Sequence, residues 1–428
     1  FSSTSPHGVI SYPAINNYQL SNLGEPDYVM RRDDFLYNLP HIQPTQISAL
    51  QASSEGNDII ACPASPFITT TTTTTTTIAP TTTTTTQQPL YFWMVGNYGH
   101  VNRSSNGGVT WTDVSIPSSL DPNLSTFIQL STSFVGLIGY VLGVEGSVQK
   151  LFKTINGGNT WTDLSAAMVG KNQIETIFVI DTNNFIIGTN YGNTFNYYSS
   201  DGGVTISAYS KPVTMITAKF TYTTLTTGYA INTFPNLGSS TAIAKTTVGN
   251  TSFSAINPAS INLSSVAPYD VTFNGNTGYF AGLSLVGNGT STPYSFIYKT
   301  INAGASWTSI NPPNNLINIS CIKVLSNGTL IVGGTNGGIT TNYIGRSVDG
   351  GSTWNVISFP VAGNGSIGGF YSYNGMEFID DLHGIIILNS GNTQTNAYYT
   401  VDGGLNWTLS PVASTGLFAL AVGKNPII

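Results

Sequence analysis

Asp380, Asp381 and His383 stand together in the stretch Asp380-Asp381-Leu382-His383-Gly384. Two carboxylates flanking one cleft are what glycoside hydrolysis needs, one as acid and the other as base or nucleophile. The same short acidic side chains also hold turns, by accepting nearby backbone N–H groups. Alignment of the chain with itself puts this pair in the same connection as Asp181 and Asn274, so turn-holding is the expected role. His100 and His383 are each isolated in sequence, and no His, Cys, Asp or Glu set has the spacing of a metal site. Gly333-Gly334-Thr335-Asn336-Gly337-Gly338 lacks the Lys and the strand-to-helix setting of a phosphate loop. The two cysteines, Cys62 and Cys321, are too few for a disulfide framework. Cys321 opens the apolar run Cys321-Ile322-Lys323-Val324-Leu325 and is expected to be a buried free thiol rather than half of a bridge. No catalytic residue, cofactor or metal is assigned.

The elements that would position any such group are set by a repeat. Ser347-Val348-Asp349-Gly350-Gly351-Ser352-Thr353-Trp354 follows the pattern Ser/Thr-x-Asp/Asn-x-Gly-x-Ser/Thr-Trp. It recurs at Ser104 to Trp111, Thr154 to Trp161, Thr300 to Trp307 and Thr400 to Trp407, with Asn406 in place of the last Thr. A copy without Trp runs from Ser199 to Ile206, and a worn copy from Thr246 to Phe253. The seven copies end at 111, 161, 206, 253, 307, 354 and 407, in steps of 50, 45, 47, 54, 47 and 53 residues. Asn-Gly-Gly and Asp-Gly-Gly let the chain reverse tightly. The short amide or carboxylate and the flanking hydroxyl can bond nearby backbone, and the Trp can pack between neighbouring units. A fixed period near 50 residues in a strand-rich chain points to a propeller.

The stretch resembles the Asp-box, or BNR repeat, that marks the propellers of sialidases, sortilin-like receptors and photosystem II assembly factors. The resemblance covers about residues 90–428 and implies structural roles for Asn106, Asn156, Asp201, Asn302, Asp349 and Asp402, and for Trp111, Trp161, Trp307, Trp354 and Trp407. In those families the boxes lie on outer hairpins away from the central binding face, so the motif implies a fold rather than an activity. A sialidase also needs an arginine triad, a Tyr nucleophile with a Glu, and an acidic proton donor. The chain has only Arg31, Arg32, Arg103 and Arg346, and the last two stand at box starts. No triad can be assembled from these.

Apolar, β-branched segments precede each box in pairs, such as Thr176–Ile180 with Phe185–Gly188, Val271–Phe273 with Gly278–Gly282, and Ile322–Leu325 with Leu330–Gly334. Phe127–Leu130 with Gly139–Gly143, Met215–Phe220 with Gly228–Ile231, and Met376–Ile379 with Gly384–Leu388 complete the series. Each repeat therefore reads as inner strand, second strand, third strand, turn and outer strand. Leu90 to Val95 enters at the second-strand position, and Leu417–Val422 is an inner strand with only a tail after it. The expected fold is an all-β, seven-bladed propeller whose C-terminal strand closes the first blade and removes two open edges.

Charged residues make up 7% of the chain, far below the usual quarter. With 13 Lys+Arg against 19 Asp+Glu there is no basic patch for nucleic acid. No apolar run reaches the ~18 residues needed to span a bilayer. The chain begins at Phe1 without Met, and removal of an N-terminal segment by processing is the expectation. Residues 1–68 carry seven prolines and no box, and are read as an anchoring and assembly region. There, Arg31-Arg32-Asp33-Asp34 is either a solvated cluster with local pairing or a docking contact with a neighbouring subunit. Residues 69–89 hold nine Thr, then Ile78-Ala79-Pro80, then six more Thr. A tract with no apolar face is an extended spacer; Thr69, Thr77, Thr81 and Thr86 mark its candidate O-glycosylation positions. Thr tracts broken by Ala-Pro look similar to spacers in bacteriophage virion proteins.

Nine N-x-Ser/Thr sequons are about as many as chance supplies at this Asn and Ser/Thr content. The Gly/Ser/Asn/Tyr-rich inserts Leu283–Ser295 and Val361–Asn374 are candidate partner-facing loops, because Tyr and Asn suit recognition of sugars and protein loops. The expected function is a non-enzymatic structural protein of a virion fibre or extracellular filament. It would assemble with copies of itself or other structural subunits through residues 1–68 and display the propeller to a glycan or protein receptor. The expected location is a virion surface, or an extracellular or cell surface. The alternatives are a secreted propeller glycoside hydrolase and an assembly factor that binds a protein client.

Overall fold

The computed structural model describes residues 91–428 apart from 191–194, 212–216, 233–240, 250–251, 260, 262–265, 285–293, 315, 336–341, 360–365, 368–374, 390–394, 412–416 and 423–428. Residues 1–68, expected to anchor and assemble, the Thr tract with Thr69, Thr77, Thr81 and Thr86, and Cys62 lie outside the described residues, as do most of the two inserts.

Seven antiparallel sheets form a seven-bladed β-propeller. In chain order of their second strands, blades 1 to 7 have inner strands Leu417–Val422, Phe127–Val135, Ile174–Val179, Thr217–Tyr222, Val266–Asn274, Asn318–Val324 and Met376–Phe378. Closure is as expected: Phe92–Gly96 pairs with Val101–Ser104 on one side and with Leu417–Val422 on the other, Phe92 opposite Val422 and Trp93 opposite Ala421. The first and last strands of the propeller thus share one sheet, and Leu417–Val422 covers the inner edge of Phe92–Gly96.

Apolar side chains from each blade meet those of the next. Between blades 1 and 2, Trp93, Val95 and Val101 pack with Phe127, Phe134 and Phe152, and Trp93 stacks on Phe134 at 4.1 Å. An aromatic ring at the end of the inner strand lies over a glycine that starts the second strand in four blades. A Cβ on Gly139, Gly228, Gly278 or Gly384 would come within 2.1–2.5 Å of that ring. The glycine makes room for a flat side chain between two strands of one hairpin.

Two differences from the sequence reading concern the inner strands. They run beyond the apolar segments, to Phe127–Val135 instead of Phe127–Leu130 and to Val266–Asn274 instead of Val271–Phe273. The added residues include Ser131, Thr132 and Asp270, polar groups on a strand that hydropathy alone does not reveal. In blade 7 the inner position is divided. Ser366–Ile367 and Met376–Phe378 both pair with Gly384–Asn389, so the insert Val361–Asn374 includes a short strand.

Candidate functional site

The seven repeated turns share one geometry wherever the box is complete. The box hydroxyl accepts the N–H of the second glycine position: Gly158 N to Thr154 Oγ1, Gly203 N to Ser199 Oγ and Gly351 N to Ser347 Oγ are each 2.8 Å. The box Asn or Asp accepts the N–H four residues on, as from Thr110 to Asn106, Thr160 to Asn156, Thr205 to Asp201, Thr353 to Asp349 and Asn406 to Asp402, all 2.9 Å, and from Ser306 to Asn302 at 2.8 Å. Gly157 and Gly158 take φ of 70° and 94°, which only glycine adopts without strain. Three of the acidic members are held below the usual carboxylate range. Asp201 is lowered to about 2 and Asp349 further, chiefly by hydrogen bonds from the Thr205 and Thr353 hydroxyls; for Asp402, burial pushes up but the Asn406 donors pull down more.

These turns work between blades. Indole Nε1 of Trp161 donates to Val114 O, that of Trp307 to Ile256 O, that of Trp354 to Asn311 O and that of Trp111 to Ser410 Oγ, each in the preceding blade. Trp407 donates to Gly404 O of its own turn. The residue just before the box reaches the turn of the next blade. Arg103 donates to Gly157 O, Lys153 to Gly202 O, Lys245 to Ala303 O, Lys299 to Gly350 O and Arg346 to Gly403 O, at 2.8–3.2 Å. Arg103 and Arg346, the two arginines of the repeats, are thus committed to blade junctions.

At the axis is a cavity of about 800 Å3. Its wall runs from the level of Ser131, Thr176, Lys219 and Asp270 to the turns holding Ser326 and Asp380–Leu382. Strand register sorts the wall into two levels. Ser131, Thr176, Lys219, Asp270 and Cys321 oppose Leu142, Gly188, Ile231, Ala281 and Gly333 of their second strands, each just past a bulge. Two residues further, Ser133, Phe178, Thr221, Thr272, Lys323 and Glu377 oppose Tyr140, Ile186, Tyr229, Tyr279, Ile331 and Ile385.

On blades 2 and 3 the wall is neutral. Ser131 Oγ accepts Ile177 N at 3.1 Å and lies 3.3 Å from Thr176 Oγ1; Ser133 Oγ accepts Val179 N at 3.0 Å. On blades 4 to 7 it carries an alternating chain of charges. Lys219 Nζ is 3.3 Å from Asp270 Oδ1, Lys323 Nζ is 3.9 Å from Asp270 Oδ2, and Lys323 Nζ donates to Glu377 Oε1 at 2.9 Å. Their side chains keep only 9%, 3%, 14% and 8% of their exposure for Lys219, Asp270, Lys323 and Glu377. Asp270 also accepts Val271 N on Oδ1 and Ile322 N on Oδ2. Burial pushes its carboxyl up, but the two ammonium groups and these N–H donors lower it further, so it stays ionised. Burial pushes Lys323 down, and the Asp270 and Glu377 carboxylates more than reverse this. The Cys321 thiol beside them is free and buried, and burial together with the Asp270 charge pushes it up to about 12. It is an inert thiol at neutral pH.

Asp380 and Asp381 sit at the cavity mouth, in the connection between inner and second strands. Asp380 accepts Leu382 N and His383 N, and His383 Nδ1 lies 2.8 Å from its Oδ2, so His383 is paired rather than isolated. Burial pushes Asp380 up and these donors lower it further, to below the usual range. Asp381 accepts Ser326 N, Ser326 Oγ and Asn327 N from blade 6. Asp380 holds its own turn, whereas Asp381 holds the turn of blade 6 and so ties one blade to the next. Asp181 in blade 3 likewise accepts Asn183 N and Asn184 N.

The charge chain was missed in the sequence, although a trace of it is there. Lys219, Asp270, Lys323 and Glu377 stand 51, 53 and 54 residues apart, the repeat spacing, each between apolar neighbours in a chain that is only 7% charged. The sequon residue Asn102 is buried, and the exposed Asn406 donates its amide to Asp402 within its turn. Among the described residues no three His, Cys, Asp or Glu come together to hold a metal ion, and no helix is long and apolar enough to cross a membrane.

Comparison with solved structures places the fold among β-propellers. The chain is similar to YCF48 bound to D1 peptide, with a TM-score of 0.52 and 18% identity over 73% of this chain and 90% of that one. It is also similar to the GH74 xyloglucanase from Xanthomonas campestris, with a TM-score of 0.51 and 12% identity over 79% of this chain but only 53% of the xyloglucanase. At such identities the likeness is one of fold. No protein-family profile matches the chain, and no curated protein matches it.

Proposed function

We propose that the propeller is a non-catalytic recognition module, displayed from a virion fibre or extracellular filament. In this reading residues 1–68 anchor and assemble it, residues 69–89 space it from the surface, and the disc meets a glycan or protein receptor. The observation that carries the recognition role is the state of the axial charges. Lys219, Asp270, Lys323 and Glu377 are engaged with one another, and Asp270 and Asp380 are both held ionised, so neither is poised as a general acid at neutral pH. The charge-poor surface and the tripartite layout support display. The YCF48 neighbour is a propeller with a bound peptide, in keeping with a disc that binds a partner. The test is to remove residues 1–86 and inspect assembled particles by electron microscopy. Loss of an appendage density supports display, and unchanged density refutes it. Binding of the isolated propeller to cell surfaces tests recognition separately.

A second reading is hydrolysis of a complex glycan, favoured by one observation: Asp270 and Glu377 contact the same ammonium within one cavity. Turnover of a polysaccharide panel that disappears in Glu377→Gln would establish it, and absence of turnover on β-glucans and host glycans would remove it.

A further inference from the structure

We propose that the axial cavity is a carboxylate-binding site, in which Lys219 and Lys323 hold the acid group of a ligand between them. The proposal deepens the recognition reading by naming what the disc would grip, and it rests on that reading. The fold itself does not call for charges here. At the same register positions blades 2 and 3 use Ser131, Ser133, Thr176 and Phe178, and these close the wall without any buried ion. Taking four charges out of water is costly, and a mutual chain of them is often no more stable than neutral packing. Their presence on four successive blades therefore points to a use beyond closing the ring.

Counting donors and acceptors gives the sign of the ligand. Both oxygens of Asp270 already accept backbone N–H groups and face lysines. At the mouth, Asp380 and Asp381 are turned onto backbone N–H groups of their own and the neighbouring turn. The hydroxyls of Ser133 and Thr272 each accept an N–H from the next blade, so their O–H groups are left to donate. Each ammonium has three N–H groups. Among the described residues Lys219 meets only Asp270, and Lys323 donates to Glu377 with Asp270 at longer range. With Asp270 saturated, the Lys219 and Lys323 ammonium groups and the Ser133 and Thr272 hydroxyls are the donors that this wall can offer a ligand. Lys219 and Lys323 flank opposite oxygens of one carboxylate, and a second carboxylate across from it would complete a closed ring of alternating charges. An acid group on a small ligand, or at the tip of a larger one, fits a cavity of about 800 Å3.

The experiment is calorimetric titration of the full chain with two acids and their neutral counterparts: glucuronate against glucose, and N-acetyl-glutamate amide against N-acetyl-glutamine amide. At least one acid is expected to bind where its neutral counterpart does not. Binding should weaken at least about tenfold in Lys219→Met and be retained in Lys219→Arg. The bound acid should also shift the side-chain NMR signals of Lys219 and Lys323 in the unaltered protein, a readout that stands even if Lys219→Met fails to fold. Binding of glucuronate alone identifies a sugar acid as the source, and of the glutamate derivative alone an acidic peptide side chain. The proposal is overturned if neither acid outbinds its neutral counterpart, or if the acid binds equally well to folded Lys219→Met. Should that happen while the propeller still adheres to cell surfaces, the carboxylate site fails and the recognition reading stands.

Discussion

The rim and the axis of the propeller are made from the same seven repeats and use them in opposite ways. At the rim, blade after blade solves one local problem identically: a hydroxyl and an Asn or Asp satisfy the same N–H groups, with distances that agree within a few tenths of an ångström. At the axis, residues in the same register are all different: Ser131, Thr176, Lys219, Asp270, Cys321. A repeated position records what every blade needs in order to fold. A position that varies among equivalent blades is free of that demand and can be given to a partner.

The comparison can be broken most forcefully at Lys323. Lys323→Met removes the ammonium between Asp270 and Glu377 and is expected to cost about 3 kcal/mol, the lower end for breaking a buried pair, since Lys323 retains some exposure. Urea denaturation measures it, and the double variant Lys323→Met with Glu377→Gln should recover part of the loss. A smaller effect tests the sameness of the rim. Ser347→Ala and Ser199→Ala each remove the acceptor of a buried glycine N–H and should cost ~1–2 kcal/mol, equal to each other within about 0.5 kcal/mol. Unequal costs would mean the turns are less alike than their geometry. Smaller again, Ala303 has a φ of 54° where other boxes have glycine. Ala303→Gly should stabilise by about 0.5–1 kcal/mol, read as a rise in the urea midpoint, because relief of the left-handed strain exceeds the added chain entropy.

Acid provides the finest test. The folded Asp201 carboxyl lies near 2, below its unfolded value of about 4. Its support is therefore complete above about pH 4 and is lost as pH falls toward 2. Hydrogen exchange over that window should loosen the turns of blades 3, 6 and 7, which carry Asp201, Asp349 and Asp402, before those of blades 1, 2 and 5, where Asn106, Asn156 and Asn302 do not titrate.

The same contrast explains how much could be read before any coordinates. The blade count, the strand order and the closing role of Leu417–Val422 follow from a motif that recurs in register. Turn-holding by Asp380 follows from a short acidic side chain placed in a connection, whereas the bonds of Asp381 to Ser326 and Asn327 of the preceding blade do not. The cations before the boxes and the axial charges were not read from the sequence. Each of Arg103, Lys153, Lys245, Lys299 and Arg346 acts on the following blade, about fifty residues away, and a motif defined within one blade does not contain its neighbour. Lys219 and Asp270 are single ions in separate apolar strands, and only ring closure brings them side by side. The inner strands were read short for the same reason, since Ser131 and Asp270 interrupt the apolar pattern at the points where the wall faces the axis.

Sealing the ring with Leu417–Val422 has a consequence for how the protein is made. The partner edge at Phe92–Gly96 leaves the ribosome more than three hundred residues before the strand that covers it. Until then a nascent chain holds a bare sheet margin, open to wrong pairing with other polypeptides. A message that stops even a few codons short of residue 417 would yield a molecule with no clasp, and chaperones or proteases should clear it although six of its sheets are intact.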